Sequence, residues 1–283
     1  MRQRHHPPRP SGFTLVEAIV VMSITGILVA GVALFLRKPV DAYFDLARRS
    51  ELSDITDTVA RRVERDLRLA LPNSVRTVTT DEHCLEFLPI MNSATYRADV
   101  GSPLPGNVFD TAAPLGAIDV LGPLSAAPAV GDLMVVYNLG IPGADAYNGD
   151  NTGIVAANST TSLINLNPPK QFPFASPGNR FMLLSGSEQA VFYACTAPGI
   201  DAAGNGTGTL YRLSAYGINA SAPAACPSVP AGTPIMAQNL STCDFSYGSG
   251  IAVRDGLVSI RLGVTKNNET VNLYQDVHVS NAP

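Results

Sequence analysis

The 24 residues from Phe13 to Leu36 carry one charge, Glu17. As a helix they would span about 36 Å at about 1.5 Å per residue, enough to cross a bilayer core of roughly 30 Å with some tilt. An acid inside a membrane helix costs at least about 2.5 kcal/mol on insertion scales, so it needs a partner or a purpose. A short basic leader, Met1 to Ser11, precedes this run.

An ordinary secretory signal is cut after its apolar run, beside small residues. Here the glycine-marked junction, Gly12-Phe13, comes before the run. A cut after Gly12 keeps the membrane helix and creates a new amine at Phe13. That amine is suited to pair with a carboxylate such as Glu17 of a neighbouring subunit. The run Gly12-Phe13-Thr14-Leu15-Val16-Glu17 resembles the class III signal of type IV pilins and type II secretion pseudopilins, over about Ser11 to Leu36. The resemblance implies that a prepilin peptidase cuts after Gly12 and methylates Phe13, and that Glu17 supports assembly into a helical filament. It also implies the orientation: leader in the cytoplasm, anchor in the bacterial inner membrane, head in the periplasm, and later residence in the pilus at the cell surface. Charge alone is indecisive, because Arg37 and Lys38 follow the apolar run directly.

Loss of residues 1–12 removes Arg2, Arg4 and Arg9 and takes the formal net charge from −4 to −7. A net acidic chain argues against a nucleic-acid-binding surface. Pro39 predicts a kink or short break at the membrane exit. From Val40 to Leu71 an apolar stripe (Val40, Tyr43, Phe44, Ala47, Leu52, Ile55, Val59, Val63, Leu67, Leu71) recurs at three- and four-residue steps, the mark of an amphipathic helix expected to pack on its own head. Asp57 with Arg61 and Glu64 with Arg68 are helix-stabilising i,i+4 pairs. Pro72-Asn73 is the expected stop.

Beyond Val75 the pattern turns to short alternating runs broken by Gly, Pro, Asn and Ser. Strands are expected at 84–89, 132–138, 181–184, 190–195, 209–216 and 243–247, with loops at 98–131, 140–153 and 217–234. The clearest hairpin closes the chain: Leu257–Thr265, a turn over 266–269, and Thr270–Ser280. The expected fold is therefore α+β, a long N-terminal helix packed on an antiparallel sheet. Its divisions are a leader (1–12), a membrane and filament-core helix (13–36), an amphipathic helix (37–74) and a β-rich head (75–283).

Cys84, Cys195, Cys226 and Cys243 all lie beyond the membrane segment, where an oxidising compartment favours disulfides. Four cysteines allow three full pairings. Position at the ends of one predicted hairpin region favours Cys195 with Cys226, leaving Cys84 with Cys243. No close Cys pairs suggest zinc. His83 and His278 stand apart from any acid cluster, no phosphate-binding glycine loop or nucleophile elbow is present, and Gly204 to Gly208 reads as a flexible turn. Asp145, Asn148, Asp150 and Asn151 share one loop but lack the spacing of a calcium loop and read as a solvated turn. Neither a catalytic set, a metal site nor a cofactor is expected.

Arg49 to Val75, Cys84 to Pro89 and the ending His278 to Pro283 resemble MSHA pilus biogenesis proteins of the MshO type. That resemblance implies a non-enzymatic minor pilin. Its implied partners are the prepilin peptidase, major and other minor pilins, and the pilus assembly machinery. A type II secretion minor pseudopilin of the J type, or an anchored exported adhesin or enzyme, are the alternatives.

Overall fold

A computed structural model describes residues 12–78, 81–101, 106–248 and 256–283. The expected leader, apart from Gly12, lies outside the described residues. The architecture is α+β, one N-terminal helix followed by antiparallel strands. The chain divides into two units, Met1–Glu51 and Leu52–Pro283.

Helix α1 spans Leu15–Arg68. It continues through Pro39, so the short break expected there does not occur. Proline removes one intrahelical hydrogen bond, to the Phe35 carbonyl, while good helix formers such as Leu36 and Ala42 sustain the helix on both sides. In the first unit Val40, Tyr43, Phe44 and Ala47 are exposed. Burial begins at Leu52. From there Leu52, Val59, Ala60, Val63 and Leu67 form one buried face within the second unit. The helix ends at Arg68, short of Pro72; Asn73 follows with φ +59°.

That face packs on a seven-stranded sheet. Its strands are β1 (Arg76–Val78), β2 (Asp81–Phe87), β9 (Val191–Thr196), β10 (Gly208–Leu213), β11 (Ile235–Gly248), β12 (Gly256–Lys266) and β13 (Glu269–Val279), adjacent in that order. Val258, Ile260, Leu262 and Val264 alternate inward from β12, as period-two burial requires. The rings of Phe87, Tyr193 and Phe245 lie side by side under the helix, with centroids 6.0 and 6.3 Å apart. The β12–β13 turn rests on Asn267 and Asn268, with φ of +52° and +64°. Consecutive left-handed asparagines match the right-handed twist of a two-residue hairpin.

A second sheet was not expected. Its order is β6 (Thr152–Ile154), β5 (Leu133–Val135), β8 (Arg180–Leu184), β3 (Asn92–Tyr96), β4 (Leu115–Leu121) and β7 (Leu163–Lys170). All six strands come from the chain between β2 and β9. The chain leaves the first sheet by β2 into β3 and returns by β8 into β9; β2 pairs with β9, and β3 with β8, both antiparallel. With this insertion set aside, the first sheet is a plain meander in sequence order. The inserted sheet has its own core, with Tyr96 stacked on Phe109 at 4.1 Å and Ile118, Ile164, Phe172 and Phe181 around them. The expected loop at 98–131 therefore contains β4, whose Ile118 and Val120 are buried.

The helix–sheet core sets one measurable expectation. Leu67 is fully buried, whereas Leu69 is 52% exposed. Leu67→Ala is expected to destabilise the head by about 2–5 kcal/mol through lost burial and a residual cavity, and Leu69→Ala by about 0.5 kcal/mol or less. Denaturant midpoints of the two variants check this; equal midpoints would show that the stripe does not anchor α1 to the sheet.

Candidate functional site

Gly12, Phe13 and Thr14 precede α1 in non-helical backbone. Phe13 is 80% exposed, and a Cβ built on Gly12 would meet nothing within 4 Å. The helix then starts with a side-chain cap: the Glu17 amide donates to Thr14 Oγ1 at 3.3 Å. Thr14-Leu15-Val16-Glu17 has the spacing of a capping box, in which a hydroxyl satisfies one of the free N–H groups of the first turn. Glu17 also places a negative charge at the positive end of the helix dipole. The sequence reading assigned Glu17 to pairing between subunits and did not recognise this local role, although the Thr-x-x-Glu spacing signals it.

Downstream, Leu15–Ala33 is long and apolar enough to cross a membrane, with mean hydropathy 2.3. Ser23 returns its hydroxyl to the Ile19 carbonyl at 2.8 Å, so it adds no free polar group to this surface. The geometry is thus an open peptide junction, one capped helix start, and an apolar helix whose side chains are uncovered within the chain.

The head holds two networks of partly buried charge. Asp66, on α1, accepts from the Tyr193 hydroxyl (2.7 Å) and Arg212 Nε (2.9 Å), and Arg212 Nη1 donates to Glu188 at 2.6 Å. Burial and the Asp66 carboxylate push the Tyr193 phenol well above its ordinary range. Burial alone would lower Arg212, but its bonds to Glu188 and Asp66 outweigh that and hold it above its ordinary value. The second network centres on Glu86, which is 2% exposed. It accepts from Arg76 Nε and from the Tyr216 hydroxyl at 2.7 Å. Arg76 in turn donates to the Asn219 and Ala220 carbonyls and lies 3.5 Å over the Tyr147 ring. A cavity of about 420 Å³ opens beside it, walled by Phe192, Leu213 and the proline-rich segment at 221–230. Both networks tie elements together. Asp66 and Glu86 are each held by an arginine and a phenol, and Glu188 by Arg212.

The disulfides differ from the expected pairing. Cys84 bonds to Cys226 and Cys195 to Cys243. The reason is the two-residue alternation of strands. Cys84 sits opposite Ala194 in the β2–β9 ladder, so its neighbour Cys195 points to the other face. On the helix side Cys195 meets Cys243, which β11 carries three residues past its last pairing with β10 at Leu240. On the outer side Cys84, Ala194 and Phe192 pack with Cys226, from the loop that encloses the cavity. A Cys195–Cys226 bond would have had to cross the sheet.

The other candidates are brought together only in part. His83 Nδ1 lies 2.7 Å from the Cys243 carbonyl and 3.2 Å from Asp244, while His278 is exposed on β13. In the loop carrying Asp145, Asn148, Asp150 and Asn151, Asp150 accepts from the amides of Gly143 and Asp145, and Lys170 Nζ donates to the Gly149 carbonyl at 2.7 Å. A lysine thus supplies the positive charge in this acidic loop. The Gly204 to Gly208 stretch, expected as a flexible turn, is tightly packed: a Cβ on Gly206 would fall 2.0 Å from the Asn239 carbonyl oxygen.

No curated protein and no solved structure matches this chain. A family model described as the prokaryotic N-terminal methylation motif matches residues 8–33. These are the residues in which the open junction, the capped first turn and the uncovered apolar helix occur in succession, and the chain therefore carries the N-terminal methylation motif that supports a type IV pilin- or pseudopilin-like protein.

Proposed function

We infer that the protein is a minor pilin-like structural subunit of a type IV pilus, of the MSHA type, and acts without catalysis. The observation that carries this reading is the methylation motif set at an exposed, non-helical junction directly before an uncovered apolar helix. In this reading residues 1–12 are the leader, 13–36 the membrane and filament-core helix, 37–74 its amphipathic continuation and 75–283 the head. Prepilin peptidase cuts after Gly12 and methylates Phe13. The subunit waits in the inner membrane with its head in the periplasm, then joins other major and minor pilins through the assembly machinery and reaches the cell surface. In the filament, the new Phe13 amine of one subunit meets Glu17 of another. An apolar bundle makes a lone ion costly, so the pair is favoured over either charge alone.

Intact mass of the membrane-extracted chain, with and without co-expressed prepilin peptidase, tests this. Loss of Met1 to Gly12 plus one methyl group is expected only with the peptidase. An uncut chain, or one cut after the apolar run, would sink the reading. The assembly step has its own test. Glu17→Ala is expected to leave cleavage intact and to lower recovery in the sheared filament fraction by about tenfold or more, as loss of a buried charge partner costs about 3–5 kcal/mol. Recovery at the unaltered level would remove Glu17 from assembly.

A further inference from the structure

Strand β13 forms one edge of the seven-stranded sheet, and its outer side pairs with no strand among the described residues. It is 11 residues long and pairs with β12 without a bulge, from Lys266↔Glu269 to Gly256↔Val279. Exposed edges are normally blunted by shortness, charge (lysine above all), proline or a bulge; the charges of β13 are Glu269 at its start and Asp276. The other sheet edges follow that rule: β1 and β6 have three residues each, and β7 contains Pro168 and Pro169. The sequence of β13, Glu-Thr-Val-Asn-Leu-Tyr-Gln-Asp-Val-His-Val, contains neither lysine nor proline. Its outer-face side chains, Thr270, Asn272, Tyr274, Asp276 and His278, are all exposed, with Tyr274 at 66%.

We propose that this edge pairs with β13 of a second copy of the chain, antiparallel about a two-fold axis through Tyr274. The strand is its own best complement in this register. Centring on Tyr274 lets all of Glu269–Val279 pair, and any shift shortens the ladder. It sets Asn272 opposite Asp276 of the other copy and Thr270 opposite His278, each a donor facing an acceptor. On the inner face it sets Val271 opposite Val277. Centring on Asp276 instead would oppose two carboxylates, which is destabilising. A two-fold contact of this kind uses the same patch on both copies and closes as a dimer. The inference concerns the head sheet and does not rest on how the N-terminus is processed.

The register makes the test specific. Directly opposed residues have Cβ atoms about 4.5–5.5 Å apart, near disulfide range. The full-length chain, purified into lipid nanodiscs, is given single cysteines at exposed positions and oxidised mildly. Tyr274→Cys is expected to run mostly as a covalent homodimer on a non-reducing gel. Asn272→Cys alone is expected to stay monomeric, because position 272 of the partner lies four residues away along the strand, about 13 Å. A mixture of Asn272→Cys and Asp276→Cys chains is expected to cross-link to each other. Retention of both native disulfides reports folding of each variant. Cross-linking of Tyr274→Cys no greater than that of Asn272→Cys, or an adduct of Tyr274→Cys with a different protein, would overturn the proposal.

Discussion

Gly12→Val is expected to leave the leader on almost every molecule while the folded chain is unchanged. A Cβ at this position meets nothing within 4 Å, and its backbone is outside the left-handed region. Nothing among the described residues therefore requires glycine here. The requirement is expected to come from the peptidase, which must bring catalytic groups against the scissile peptide. A misplacement of about 1 Å at a reacting bond can cost about 100-fold in rate. Intact mass should show residues 1–12 retained, and both disulfides should form as before. Mature protein at unaltered yield would mean that cleavage does not fall after Gly12.

In the head, Arg212→Leu is expected to be strongly destabilising. The guanidinium joins Asp66 on α1 to Glu188 ahead of β9, and its removal strands both carboxylates, leaving Asp66 with the Tyr193 phenol. Breaking a buried pair from one side costs about 3–5 kcal/mol. The side chains here are 18%, 16% and 35% exposed, so partial hydration argues for the lower end of that range. Chemical denaturation measures it, and adding Asp66→Asn should recover part of the loss, because the second change removes a stranded charge. A cost for Arg212→Leu of about 1 kcal/mol or less would place this network with ordinary surface pairs.

The sequence was legible where one physical signal dominated. The apolar run with its single acid marked the N-terminal site, and the strict alternation of Val258, Ile260, Leu262 and Val264 marked the terminal hairpin. Legibility failed where signals competed. β4 hides inside a stretch rich in Pro, Gly and Ala, with Ile118 and Val120 its two buried side chains. β3 is largely polar, Asn-Ser-Ala-Thr-Tyr, and buries one large side chain, Tyr96. β7 contains a Pro-Pro pair, which normally argues against a strand. The inserted sheet joins these segments to β5 and β8, whose runs at 132–138 and 181–184 do read as strands, so two of its strands are legible and the sheet as a whole is not. The disulfide pairing depends on the parity of Cys84 and Cys195 across a ladder, which appears only once register is known. The stripe over Val40 to Leu71 reads as one surface in sequence, yet burial starts at Leu52, because periodicity marks a face without saying what covers it.

The two disulfides also interleave along the chain, 84 to 226 and 195 to 243. A single proteolytic cut anywhere between Cys84 and Cys243 therefore leaves the two pieces covalently joined. In the interval between Cys195 and Cys226, which includes much of the long Pro/Ala loop, they are joined twice. A subunit nicked there by a protease would keep its fragments together until both bonds were reduced.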